Sequence, residues 1–148
     1  MQYQEMRSIV YLASTAVASA LYALTIRMAY PNQVSQASND RVFWAAVILI
    51  FIPVLIVFRI VVTIIFAIIH KIRTDEDTVN QEDELDKLID LKATRVFYNV
   101  FMAGVVLALL GQALGLPLSG FFLMLGGAIV AAGLTLDLTQ LFFYRRGI

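Results

Sequence analysis

The chain has 148 residues, 60% of them hydrophobic, with a formal charge of zero and a mean hydropathy of +0.81. Soluble domains carry about 45–50% apolar residues, so this composition excludes an ordinary soluble domain and points to a membrane. Eight of the eleven acidic residues fall between Asp75 and Asp90, no basic face for nucleic acid stands out, and the absence of cysteine excludes disulfides, thiol catalysis, quinone-linked dithiol chemistry and cysteine metal sites.

A polar lead, Met1 to Arg7, precedes a mostly apolar run from Ser8 to Tyr30, close to the ~20 residues that cross a bilayer core. This run also has features of a secretory signal, with Arg7 ahead of it and Ala18-Ser19-Ala20 as a cleavage pattern. Ser14 and Thr15 dilute its apolar stretch and favour a first span. Ala13, Ala16, Ser19 and Ala20 predict a face that packs closely on another helix. Tyr30-Pro31 ends the helix, since a residue before proline is pushed out of the α region, and Asn32 to Asp40 is a polar loop.

Val42 to Ile69 is then apolar except for Arg59. As a helix it measures about 42 Å, more than a ~30 Å hydrocarbon core, so it must tilt, bend or protrude. Pro53 frees the carbonyl of Leu49 and is the expected bend, and Trp44 is expected as an interfacial anchor.

The charged stretch from His70 to Arg95 divides the chain. Thr78 or Asn80 suits an N-cap, Glu82, Asp83 and Glu84 suit a first turn, and Lys87, Lys92 and Arg95 follow. Leu85, Leu88, Ile89 and Val96 fall on one helical face, and Asp83 can pair with Lys87. A helix is expected from about Gln81, running unbroken into a third span from Val96 to Leu114. Gly115 to Gly120 is an uncharged reversal, with Pro117 in the first turn of the next helix. The fourth span, Leu118 to Tyr144, carries Gly126, Gly127, Ala131, Ala132 and Gly133, with Gly127 and Ala131 as a small-x-x-x-small pair. Phe142, Phe143 and Tyr144 form an aromatic belt before Arg145 and Arg146.

Counting lysine and arginine gives the orientation. Arg7, Lys71, Arg73, Lys87, Lys92, Arg95, Arg145 and Arg146 lie on one side, against Arg27 and Arg41 on the other. Both termini and the central segment, 70–95, are therefore expected to be cytoplasmic.

Two ionisable residues fall inside spans, Arg59 and Asp137, where a charge costs roughly 2.5–3.5 kcal/mol and turns toward protein or water. Counted from the cytoplasmic edge they lie about 16 Å and about 12 Å deep, within reach of an arginine side chain. They form either a structural ion pair or a functional ion, proton or counter-ion site, unless Arg59 instead reaches toward the headgroups. His70 reads as an interfacial anchor, and Asp75, Glu76 and Asp77 as a solvated acidic face without the glycine turn of a Ca²⁺ loop. Tyr98, Asn99 and Gln112 are expected to hydrogen-bond between helices. No phosphate loop, nucleophile elbow or zinc helix is present, so no catalytic constellation, metal or cofactor is expected.

The run Glu82 to Arg95, EDELDKLIDLKATR, followed by Val-Phe-Tyr98, resembles the acidic D-E-R-D-x-L-I-x-L-K-x-x-R-x-x-Y segment of a group of small bacterial inner-membrane proteins. Glu84 and Leu85 stand where that pattern has arginine and aspartate. The resemblance implies four spans with this segment between the second and third, and it implies no activity.

The resulting expectation is an all-α bundle of four transmembrane helices, a single integral membrane domain over 1–148, with a charged cytoplasmic helical extension before the third span. Functionally it is expected to be a non-enzymatic accessory or regulatory subunit in the lipid bilayer. Its small-residue faces would meet another membrane protein or a second copy. Asp83, Glu84, Asp86, Lys87, Asp90, Lys92 and Arg95 would offer a docking helix to a cytoplasmic protein. The alternative is a small homodimeric transporter or channel, with Asp137 as coupling carboxylate and Arg59 as its partner.

Overall fold

Backbone hydrogen bonding must be satisfied within each apolar stretch, and the chain does so as helices. A computed structural model describes residues 3–35, 40–74 and 84–146, which form α1 (Tyr3–Ala29), α2 (Pro31–Ser35), α3 (Arg41–Thr74), α4 (Glu84–Ala113) and α5 (Leu118–Arg146). No strand occurs among the described residues. The four long helices are long and apolar enough to cross a membrane.

Local chemistry sets the helix ends. Pro31 opens α2, where its missing N–H costs nothing. The Asp40 carboxylate accepts the N–H groups of Val42 and Phe43 at 3.0 and 3.2 Å, capping α3. That helix continues through Pro53 to Thr74. Glu84 and Asp86 occupy the first turn of α4, where carboxylates suit the helix dipole. The expected caps Thr78 and Asn80 lie outside the described residues, as do Glu82 and Asp83. Gly115, with φ of 86°, closes α4: its N–H donates to the Gln112 carbonyl at 3.1 Å and that of Leu116 to the Gly111 carbonyl at 3.0 Å. This is the Schellman arrangement, and it needs a residue at ease in the left-handed region. The Pro117 carbonyl then accepts the N–H of Gly120 at 2.8 Å and starts α5.

α5 is the hub. It packs along α4 and α1 and more lightly on α3, α3 lies against α1, and α3 and α4 do not meet. The α4–α5 seam is built from small residues: Ala93, Ala108 and Gly111 are buried on α4, and Ser119, Ala128 and Ala132 on α5. Gly104 abuts Ala128 so closely that a Cβ there would overlap it.

Several expected faces are displaced. Gly127 and Ala131 are exposed, with nothing within 4 Å of a Cβ at Gly127, so the seam runs one residue over through Ala128 and Ala132. One residue rotates a helix position by about 100°. On α1, Ala13, Ala16 and Ala20 are exposed, and the inward face is Ser8, Tyr11, Ser14 and Ala18. On α4, Leu85 and Leu88 face outward and only Ile89 of the expected stripe is buried. Trp44 is 3% exposed rather than an interfacial anchor. Its ring meets Phe43 edge-on at 5.4 Å and lines an apolar cavity of about 330 Å³ between α1, α3 and α5. Tyr22 closes that region by donating its hydroxyl to the Val47 carbonyl at 2.6 Å.

Candidate functional site

Spacing of four residues puts side chains on one helix face, and polar residues follow it here: Arg7, Tyr11 and Thr15 on α1, Arg59 and Thr63 on α3, Asp86 and Asp90 on α4, Gln140 and Tyr144 on α5. These faces converge at the end of the bundle where α4 begins.

At their centre is Asp137, which has no exposed surface. Arg59 donates from one terminal nitrogen to Asp137 Oδ1 at 2.8 Å, and Thr15 donates its hydroxyl to Oδ2 at 3.2 Å. A buried carboxylate is costly unless paired and hydrogen-bonded, and both oxygens are served. Three helices, α1, α3 and α5, are tied at one point. Gly133 faces α1 at this point, and a Cβ there would meet the Thr15 methyl at an ordinary contact distance of 3.5 Å.

The Arg59 side chain remains 38% exposed, and its guanidinium lies 4.8 Å from the centroid of the Tyr11 ring. Arg7 flanks the same ring at 5.2 Å and donates Nε–H to the Tyr11 oxygen at 3.0 Å. Thr63 Oγ1 is 2.9 Å from that oxygen and 2.8 Å from the Arg59 carbonyl. The threonine has one proton, so a consistent network has Arg7 donating to Tyr11, Tyr11 to Thr63, and Thr63 to the Arg59 carbonyl. Tyr11 thus works through its face and its hydroxyl together.

Beside the pair, where α3 and α4 stand apart, is a crevice of about 600 Å³. Its α1 wall carries Arg7, Ser8 and Tyr11, and its α3 wall Ile56, Arg59, Ile60, Thr63 and Ile64. Asp86, Lys87 and Asp90 line it from α4, and Leu136, Gln140 and Tyr144 from α5. Gln140 donates to Asp90 at 2.9 Å, and the Tyr144 hydroxyl bonds Asp86.

The structure therefore brings Arg59 and Asp137 together and places Asp86, Lys87 and Asp90 of the charged segment on the same crevice. Glu84 and Arg95 are exposed, and neither lines the crevice. Lys92 lies over Phe143 at 5.0 Å and Arg146 over Phe142 at 5.1 Å, so the aromatic belt also holds cations. Tyr98, Asn99 and Gln112 are exposed instead of bridging helices. His70 sits 6.3 Å from Phe66, and Asp75, Glu76 and Asp77 lie outside the described residues. Among the described residues no group of histidine and carboxylate side chains could hold a metal ion. Tyr11, Thr15 and Thr63 escape a search for charged residues alone, and the four-residue polar spacing is the signal that finds them.

No protein-family model matches the chain, and neither does any curated protein or solved structure.

Proposed function

We propose that the protein is a non-catalytic integral subunit of a bacterial inner membrane, with both termini cytoplasmic, that acts by associating with other membrane proteins. The Arg59–Asp137 pair carries this reading: the two charges within the apolar helices neutralise each other, and Asp137 is closed to solvent. Such a pair fixes helix partners in the bilayer and leaves no carboxylate open to a solute. Further support comes from α3, whose Leu49, Val57, Ile65 and Ile68 are exposed, and from the exposed charges Glu84, Lys87, Lys92 and Arg95 on α4. Photo-crosslinking residues at Val57 and Ile65 on α3 and at Leu91 on α4, activated in native membranes, test it. Discrete protein adducts from α3 are the expected outcome, and lipid adducts alone at all three positions would refute the reading.

The crevice beside Arg59 favours a second reading, a homodimeric transporter in which Asp137 couples solute movement. Solute uptake unchanged by Asp137→Asn would remove its basis.

A further inference from the structure

We infer that the crevice between α3 and α4 binds a phospholipid whose head group carries both a phosphate and an ammonium, with an acyl chain lying along α3. This goes beyond association with proteins and does not rest on it.

The shape comes first. Because α3 and α4 do not meet, the crevice opens sideways between two helices long and apolar enough to cross a membrane, which is where a lipid would enter. Its volume, about 600 Å³, is within the range of small-molecule sites.

The donors come next. A guanidinium has five N–H groups in a fixed fork, and Arg59 gives one hydrogen bond to Asp137 while 38% of its side chain stays open. The carboxylate is closed off behind it, so the crevice meets the cation and not the anion. Arg7 and Lys87 add positive charge on neighbouring walls. Arginine forks of this kind are suited to phosphate.

Asp86 and Asp90 lie one turn apart on the α4 wall, bonded by Tyr144 and Gln140. A carboxylate accepts at about four lone-pair sites, so Asp90, which accepts from Gln140, can also receive an ammonium. The same two acids would repel a head group whose charge is only negative.

Ile56, Ile60 and Ile64 line the crevice from α3 and are all more than half exposed. They step one turn at a time over about 12 Å, with Arg59 between Ile56 and Ile60 and with Ile64 nearest the end where α4 begins. Exposed methyls interleaved with charge along one wall match an amphiphile better than a free anion.

Titration of the detergent-purified protein, followed by native mass spectrometry, tests this, with phosphatidylethanolamine, phosphatidylglycerol and inorganic phosphate as probes. One phosphatidylethanolamine per chain is expected, retained roughly tenfold more tightly than phosphatidylglycerol. Ile60→Trp or Ile64→Trp, each filling the crevice from its exposed lip, should reduce retention about tenfold without lowering the unfolding temperature. Asp86→Asn with Asp90→Asn should abolish the preference for the ethanolamine head. Retention of no lipid, equal retention of phosphatidylglycerol, equal stabilisation by inorganic phosphate, or indifference to both tryptophan variants would each overturn the proposal. Crosslinks from α3 to protein report on the association reading and are unaffected by these outcomes.

Discussion

Asp137 is fully enclosed while Arg59 keeps more than a third of its side chain open, so removing one or the other leaves different consequences behind. Arg59→Ala strands a buried carboxylate with Thr15 as its remaining partner, a loss on the order of 3 kcal/mol. Asp137→Asn keeps hydrogen bonding and frees Arg59 to turn into the crevice, so the cost should be smaller. Unfolding temperatures in detergent should rank Arg59→Ala below Asp137→Asn. Arg59→Ala with Asp137→Ala should lose less than the two single alanine changes summed, because the pair is coupled. Tyr11 separates face from hydroxyl: Tyr11→Phe retains the ring under Arg59 and Arg7 but loses the bonds to Arg7 and Thr63. It should cost about 1 kcal/mol, and Tyr11→Ala, which also empties a buried volume, about 3 kcal/mol or more.

Among the elements, α4 and α5 depend on close approach, and two glycines respond oppositely. Gly104→Ala drives a methyl into Ala128, an overpacking cost of about 1–3 kcal/mol. Gly127→Ala meets open space and should be neutral or stabilising by up to about 1 kcal/mol through helix propensity. Ala128→Gly should rescue the first variant in thermal unfolding. The helices themselves were legible from hydropathy, from the Pro31 and Gly115 boundaries, and from the unbroken run through Leu91 to the end of α4. Their inward faces were not, because where every face is apolar the hydrophobic period carries no direction. Gly127 with Ala131 and Ala128 with Ala132 satisfy the small-residue spacing equally well, and only packing against Gly104 distinguishes them. That Arg59 and Asp137 come within reach of each other could be counted along the chain. Tyr11 shares the four-residue polar spacing of Arg7 and Thr15, but its contacts with Arg59 and Thr63 on α3 could not be read, since an aromatic in an apolar helix reads as packing.

At the scale of the whole molecule, α5 holds the bundle while α3 contributes one edge and leaves the crevice beside α4. Trp44, the chain's single tryptophan, reports on this arrangement. It is enclosed, so bromine-labelled lipids should quench its fluorescence weakly. In the purified protein, reconstituted without partners, Val57→Trp in a Trp44→Phe background should be quenched strongly, because Val57 faces outward. Strong quenching of Trp44 itself would mean that α3 has separated from α1.

The bond between Arg59 and Asp137 spans 78 residues, and α5 is synthesised after α1, α3 and α4. At the usual ribosomal pace of about 5–20 residues per second, Arg59 spends on the order of 4–16 s without its carboxylate. During that interval α1 and α3 resemble an incomplete product, an arginine displayed in an apolar helix with its counter-ion still on the ribosome. A nonsense or frameshift change before residue 137 makes that interim state permanent. The pair that ties three helices therefore also marks whether translation has passed residue 137.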